Sequence, residues 1–261
     1  MNQLRKFFNN RATRFFAALT ILFIMVPGKS YAEGLPYLNI VKEASTPTEN
    51  AFAVKQILIL TVLTLIPSIV LMLTPFVRIT IVLSIMRQSL GLNQTPPNQA
   101  LLALALFMSL ISMSPMVSEI NEKAIEPYMN DKITIEQAIN EANTPIREYM
   151  FKQVGKSELS LFINLDTHVT GDKAPKTYAD IPNKVLFPAY MTSEIKKGLF
   201  IGIIVSISFV VIDLATSAIL QGMNMMMLSP MVISGIFKLL LFIFANGFEL
   251  IIQATMLSIK Y

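Results

Sequence analysis

Four long stretches that are apolar and almost free of charge limit what this chain can fold into. They cover residues 57–77, 100–117, 199–220 and 232–252, and the first two contain no charged residue. An α-helix rises about 1.5 Å per residue, so each stretch approaches the roughly 30 Å thickness of a membrane's hydrocarbon layer. Hydrophobic residues make up 53% of the chain and charged residues 15%, a low charged fraction for a soluble domain. The pattern predicts an all-α membrane protein.

The first 32 residues have the pattern of a secretory signal peptide. A basic segment is followed by an apolar core at 15–26, a Pro-Gly break, and small residues at Ser30 and Ala32. We expect cleavage after Ala32, which leaves residues 33–54 as an exported N-terminal segment; an uncleaved anchor is the alternative. The leader holds five bases and no acid, so its removal changes the formal charge from +4 to −1. The excess of bases therefore does not indicate a nucleic-acid-binding surface.

The apolar stretches divide the rest of the chain into three parts. Residues 55–118 and 199–261 are predicted to form two hydrophobic helical hairpins, which flank a polar, mostly helical domain at 119–198. Bases in short connections mark the cytoplasmic side of a membrane. Arg78 and Arg87 therefore place the connection of the first hairpin in the cytoplasm and the middle domain on the periplasmic side.

The middle domain has no residue pattern of a catalytic or metal site. His168 is the only histidine and the chain has no cysteine, so neither a zinc site nor a thiolate nucleophile is available. We expect no enzyme activity, no metal and no cofactor. The clearest local signal there is structural, because Thr134 and Gln137 have the spacing of a helix-capping box.

Methionines are concentrated in the turn between the last two apolar stretches. Met223, Met225, Met226 and Met227 lie within the segment 221–231. Methionine side chains are unbranched and adapt to different contacts, so a ring of such turns is able to form a soft apolar seal. Ordinary packing of a helix turn is the alternative.

Asp213 and Lys238 are charged residues inside apolar stretches, where an ionisable group usually has a function. They lie equally far along the chain from the centre of the methionine-rich turn, so an antiparallel hairpin places them at the same depth. We expect an ion pair, within one subunit or between neighbours in a ring. A proton carrier at Asp213 is the alternative.

Three more residues indicate helix contacts. Gly198 and Gly202 are four residues apart, and small residues at this spacing let membrane helices approach closely, here between subunits. Glu249 is predicted to make a polar contact between helices. Arg78 follows Pro75 and is expected to extend its side chain toward the membrane interface.

Several motifs resemble the FliP/SctR family of type III secretion export-gate subunits. The first is Leu-Thr-Pro-Phe-Val-Arg-Ile at 73–79, followed by Arg-Gln-Ser-Leu-Gly at 87–91 and Thr-Pro-Pro-Asn-Gln at 95–99. A second signature at 187–196 has a Pro-Ala-Tyr core and ends in Ser-Glu-Ile-Lys, and Phe-Lys-Leu-Leu-Leu-Phe lies at 237–242. The resemblance covers about residues 55–258, and the leader resembles the flagellar branch of the family.

The resemblance implies a core subunit of the flagellar export gate, through which unfolded proteins cross the bacterial inner membrane at the basal body. It implies a ring-like or helical homo-oligomer in contact with lipid, FliQ-like and FliR-like subunits and FlhA/FlhB-like components. The methionine-rich turn is then a gasket that closes the pore, and Arg78 and Glu194 are expected at assembly interfaces. Asn224 departs from the family, where glycine is common. The alternatives are an injectisome gate subunit and a small proton-coupled transporter.

Overall fold

The computed structural model describes residues 71–92, 94–171, 175, 177–225 and 229–260, with single residues and short runs between 54 and 68. The predicted signal peptide and residues 33–53 of the exported segment lie outside the described residues. The fold below is that of the unit Val70–Tyr261. All regular secondary structure in the described residues is helical, which confirms the predicted all-α class.

The helices are numbered here in chain order. They are α1 (Phe76–Ser89), α2 (Asn98–Ser112), α3 (Ser114–Ile120), α4 (Glu126–Met129), α5 (Ile135–Gln153), α6 (Lys156–Thr170), α7 (Asn183–Gly222), α8 (Pro230–Phe244) and α9 (Gly247–Leu257). A π-helical turn, Asn121–Ile125, joins α3 to α4, and a 3-10 turn, Tyr178–Asp180, precedes α7.

The start of α5 follows from its first residues. The Thr134 hydroxyl accepts a hydrogen bond from the Gln137 backbone N–H at 3.3 Å, and the Gln137 side chain accepts one from the Thr134 backbone N–H at 3.0 Å. Two backbone donors at the helix N-terminus, which lack partners within the helix, are thus satisfied. The predicted capping box is confirmed.

Helix α7 connects the polar and apolar parts of the chain. Its 40 residues extend about 60 Å, roughly twice the thickness of a hydrocarbon layer. The sequence predicts a domain boundary between 198 and 199, but α7 continues through this position without a break. The composition changes there from polar to apolar, while the residues on both sides remain compatible with a helix.

Helices α1 and α7 run side by side in the same direction. Gly198 lies against Ile81 and Gly202 lies against Ile85 one turn later in both helices. A Cβ atom at Gly198 would come within 3.1 Å of Ile81 Cβ, and one at Gly202 within 2.4 Å of Ile85 Cδ1. The two glycines therefore permit a close contact that lies within one chain, whereas the sequence predicted a contact between subunits.

Each half of α7 packs against one buried apolar cluster. One is built around α1, where Val82 and Met86 have no exposed surface, and includes residues of α2, α8 and α9. The other brings Met150 of α5 against Leu186 and Tyr190 in the first half of α7. One continuous helix thus joins both cores, so the polar and apolar parts do not fold as independent domains.

Two of the predicted spans are bent rather than straight. The stretch 100–117 is broken between α2 and α3 at 56°, and 232–252 is broken between α8 and α9 at 68°. Pro115 lies in the first turn of α3 and has no N–H to continue the ladder of α2. Asn246 has φ 50°, a left-handed conformation that ends α8.

One described helix, Asn183–Gly222, is by itself long and apolar enough to cross a membrane. Counting each bent pair as one span raises the number to three among the described residues. The predicted stretch 57–77 is interrupted by a turn at 73–75, which includes Pro75, and α1 begins directly after this turn. Helix α1 extends beyond residue 77, the end of that stretch, so Arg78 and Arg87 are residues of α1 and not of a loop.

Candidate functional site

Arg78 and Glu194 form the centre of a buried polar cluster. The Arg78 Nε donates to Glu194 Oε2 at 2.9 Å, and Arg78 Nη2 donates to Glu194 Oε1, which makes the pair bidentate. Arg78 Nη2 also donates to Gln153 Oε1 at 3.1 Å, and Nη1 donates to the Ser258 carbonyl at 2.8 Å and hydroxyl at 3.0 Å. Each of the five guanidinium N–H groups therefore has an acceptor.

The cluster joins four separate parts of the chain. Arg78 comes from α1, Glu194 from α7 and Gln153 from the end of α5, while Ser258 follows α9. The Gln153 side chain also donates to the Lys260 carbonyl at 2.5 Å. Burial without a partner would be costly for either ion, so this cluster requires all four segments to be in place together.

The position of Arg78 corrects the sequence prediction. Its side chain has no exposed surface, so it does not extend to the membrane interface. The sequence also placed Arg78 in a cytoplasmic connection and Glu194 in a periplasmic domain. Two side chains that share a hydrogen bond lie at the same depth relative to a membrane, so these two placements are incompatible. The rule that bases in short connections mark the cytoplasmic side assumes that each base is solvated. It does not apply to Arg78, because Glu194, 116 positions away in the chain, neutralises this base.

The Ser-Glu-Ile-Lys signature of α7 contacts the turn between α5 and α6 and the first turn of α6. Ser193 Oγ accepts a hydrogen bond from the Gly155 N–H at 2.9 Å, and Lys196 Nζ lies 2.5 Å from Glu158 Oε1. Lys197 donates to the carbonyl of the last residue of α5. The Lys196 hydrogen bond lowers the pKa of Glu158 below its ordinary value. The signature thus docks the polar helices onto α7.

A second polar cluster lies at the other end of α1. Lys238 of α8 donates to Asp213 Oδ2 of α7 at 2.5 Å and to the Ser89 carbonyl at the C-terminus of α1 at 3.1 Å. The structure thus brings together the two charges that sequence reasoning paired. The Lys238 side chain is 8% exposed and the Asp213 side chain 40% exposed, so the carboxylate is on the outer side.

The Arg-Gln-Ser-Leu-Gly motif ends α1 and attaches it to α2. The N–H groups of Gly91 and Leu92 donate to the carbonyls of Gln88 and Arg87 at 3.0 and 3.2 Å, with Gly91 at φ 76°. This is a Schellman motif, which needs a left-handed residue at the position of the glycine. Arg87 Nη1 then donates to Asn98 Oδ1 at 2.6 Å in the first turn of α2.

The methionine-rich turn begins with the same kind of helix ending. The N–H groups of Asn224 and Met225 donate to the carbonyls of Gln221 and Leu220, both at 3.0 Å. Asn224 has φ 55°, and asparagine tolerates this conformation better than most residues other than glycine. The departure from the family's glycine therefore keeps the geometry that ends α7.

Two of the four predicted gasket residues lie among the described residues of this turn. Met223 and Met225 are exposed, whereas Met226 and Met227 lie outside the described residues. Glu249 is also exposed, and the hydrogen bond it accepts comes from Gln253 of the same helix at 3.1 Å. Among the described residues, Glu249 therefore does not make the predicted contact between helices.

Sequence reasoning missed the neutral members of both clusters. Gln153 and Ser258 carry no charge and stand in no distinctive pattern, and the Ser89 carbonyl is a backbone group within the Arg-Gln-Ser-Leu-Gly motif, so only the tertiary structure identifies these partners. In the described part of the chain, no group of three or more histidine, aspartate or glutamate side chains is positioned to hold a metal ion.

Comparison with known proteins identifies the family. The sequence profile of the FliP family matches residues 59–255. The flagellar biosynthetic protein FliP of Bacillus subtilis (strain 168) is 40% identical over 222 residues, which cover 85% of this chain and 98% of that protein. Those of Treponema pallidum (strain Nichols) and Pectobacterium carotovorum are 37% and 40% identical, over 85% and 77% of this chain and 82% and 76% of theirs. The chain belongs to the FliP family.

Proposed function

We propose that this chain is a core subunit of the flagellar type III protein export gate. It forms, with FliQ-like and FliR-like partners, the conduit for unfolded flagellar proteins across the bacterial inner membrane, next to FlhA/FlhB-like components. The observation that carries this proposal is the match with relatives named flagellar biosynthetic protein FliP, which covers 98%, 82% and 76% of the three relatives described above. These names favour the flagellar gate over the injectisome gate.

The proposed arrangement is a homo-oligomeric ring whose subunits place residues 119–198 and the mature N-terminus on the periplasmic side. The cluster of Arg78 and Glu194 then lies at that side of the membrane, because Glu194 belongs to this polar part. Gly222 lies 28 positions further along α7, which corresponds to about 40 Å of helix. The methionine-rich turn is therefore near the opposite end of the conduit.

The methionines of this turn act as the gasket of the closed gate. Met223 is 62% exposed in the single chain, so its side chain is available for contacts with equivalent turns around an axis. Flexible thioether side chains are able to fill an irregular opening and to repack around a passing polypeptide. The Schellman ending at Asn224 holds the start of the turn in a defined position.

The Asp213–Lys238 pair supports a structural role and not a proton-coupled transporter. Lys238 bonds to α1 and α7 at once, so it links three helices at the depth where a charge is costly. A proton carrier at Asp213 would require the carboxylate to lose this partner during each cycle. The pair instead neutralises the lysine and holds α8 against its neighbours.

Export measurements in a deletion strain test the proposal. We expect a strain without this chain to secrete no hook or filament protein into the medium and to recover secretion when the gene is supplied in trans. Sec-dependent export of a periplasmic enzyme is the control and should not change. Normal secretion of flagellar proteins by the deletion strain, with loss of injectisome effectors instead, would contradict the flagellar assignment.

A further inference from the structure

Residues 258–260 follow α9 and lie against the start of α1 and the end of α5. The carbonyl and the hydroxyl of Ser258 accept hydrogen bonds from Arg78 Nη1 at 2.8 and 3.0 Å. The Lys260 carbonyl accepts a hydrogen bond from the Gln153 side chain at 2.5 Å. This short segment, called the strap below, therefore bonds to two helices that come much earlier in the chain.

Ile259 is the apolar anchor of the strap. It is 2% exposed and belongs to the buried cluster that contains Leu186 and Tyr190 in the first half of α7. Leu257, two positions earlier at the end of α9, is 84% exposed. Burial of an isoleucine is a substantial source of stability, so the strap is a packed part of the fold and not only a continuation of α9.

The strap completes the cluster of Arg78 and Glu194. The two N–H groups of Arg78 Nη1 bond to Ser258, and the Arg78 side chain has no exposed surface while the strap is in place. Without the strap, these donors lose their acceptors and the ion pair meets water. An ion pair in water contributes much less than one that is shielded and fully hydrogen-bonded. The cluster therefore holds α1, α5 and α7 together firmly only when the strap is docked.

The strap is synthesised after every helix that it joins, because α1, α5 and α7 all precede it in the chain. We propose that the strap is a latch: the end of α5 and residues 183–198 of α7 open readily until residues 258–260 dock and close the cluster of Arg78 and Glu194. Such a latch withholds the closed fold from chains whose synthesis stops before the strap. The inference concerns the fold of a single chain and does not depend on the proposed function.

Amide hydrogen exchange of the chain in detergent, followed by mass spectrometry, tests the latch directly. Backbone amides in a helix exchange through local opening, so a segment that opens more often exchanges faster. We expect residues 146–153 of α5 and 183–198 of α7 to exchange about tenfold faster in a chain that ends at Leu257 than in the full chain. A chain that ends at Lys260 keeps the strap and should exchange like the full chain.

Point variants separate docking of the strap from other effects of truncation. Ile259→Ala removes most of the buried anchor, so it should accelerate exchange in the same two segments of α5 and α7 by about tenfold. Leu257→Ala is the matched control, because this leucine is 84% exposed, and exchange should not change. Ser258→Ala removes the hydroxyl acceptor but keeps the carbonyl, so its effect should be smaller than that of Ile259→Ala.

Exchange in α8 distinguishes a latch from loss of the whole fold. Phe242 of α8 belongs to the other buried cluster, so residues 230–244 should exchange at the same rate in Ile259→Ala and in the full chain. Equal acceleration of α8, α5 and α7 in this variant would overturn the latch, as would unchanged exchange of α5 and α7 in the chain that ends at Leu257. Neither outcome bears on export, which the secretion measurements test separately.

Discussion

Arg78 and Glu194 lie 116 positions apart in the chain and form a bidentate ion pair whose side chains have no exposed surface. Gln153 and Ser258 complete the hydrogen bonding of the guanidinium, so the pair joins α1, α5, α7 and the segment that follows α9. A buried ion pair is stabilising only when each charge keeps its partner. The cluster therefore makes correct assembly of these segments cooperative.

Removal of one partner of this pair should be severe. We expect Arg78→Ala to lower the free energy of unfolding by about 3–5 kcal/mol, because Glu194 remains as a buried charge without a cation. Arg78→Lys should also be harmful, since an ammonium cannot reproduce the five directed N–H groups. Denaturant unfolding in detergent, followed by circular dichroism, measures both.

The double variant Arg78→Met with Glu194→Met is the matched control for that prediction. It removes both charges and should be less destabilised than either single variant. Lys123→Ala breaks an exposed ion pair with Glu119 and should have no measurable effect. If Arg78→Ala unfolds at the wild-type denaturant concentration, the cluster does not stabilise the fold.

The close contact of α1 and α7 predicts a rescue experiment. Gly202→Ala should destabilise the chain by about 1–3 kcal/mol, because the new Cβ meets Ile85 Cδ1 at 2.4 Å. Ile85→Val removes that methyl group and should recover part of the loss in the double variant. Gly235→Ala is the control, since nothing lies within 4 Å of its Cβ position. If Ile85→Val does not restore stability, the loss in Gly202→Ala comes from separation of α1 and α7 and not from a local clash with Ile85.

The Lys238–Asp213 pair predicts a different order of effects. Asp213→Asn leaves a lysine that is 8% exposed without its counter-ion, whereas Lys238→Met leaves a carboxylate that is partly exposed. We expect Asp213→Asn to reduce the yield of the assembled complex more than Lys238→Met does. The double variant should recover assembly and export. Restored assembly without restored export would instead favour a proton-carrying role for Asp213.

The methionine-rich turn predicts a leak without loss of assembly. Replacement of Met225, Met226 and Met227 together by Ala should leave complex yield unchanged but raise ion conductance of the reconstituted closed complex, because smaller side chains leave the aperture open. Met231→Ala is the control, since this methionine is 78% exposed but lies in α8 beyond the turn. Equal conductance of the triple variant and the wild type would reject the gasket.

Local and periodic features of the fold were accessible from sequence. The apolar stretches predicted the all-α class, and Thr134 with Gln137 predicted the start of α5, because these signals act over a few residues. The equal spacing of Asp213 and Lys238 from the turn brought them together correctly, since α7 and α8 are antiparallel neighbours. Glu194 was singled out through the family signature, and the spacing of the residues did not identify its partner.

Long-range features were not accessible. A base near an apolar stretch has the same local pattern whether it is solvated or neutralised by a distant acid, so the burial of Arg78 was missed. Hydropathy averages over a window and does not register a left-handed residue such as Asn246, so the bend between α8 and α9 was missed as well. The continuity of α7 across residue 199 was hidden by the change in composition.

Native mass spectrometry tests the central claim most directly. The chain is co-expressed with its FliQ-like and FliR-like partners, extracted in detergent and analysed intact. The export-gate proposal predicts a complex that contains several copies of this chain together with both partners. The mass of each copy should equal that of a chain that begins at Glu33. A monomer or simple dimer that excludes both partners would contradict it.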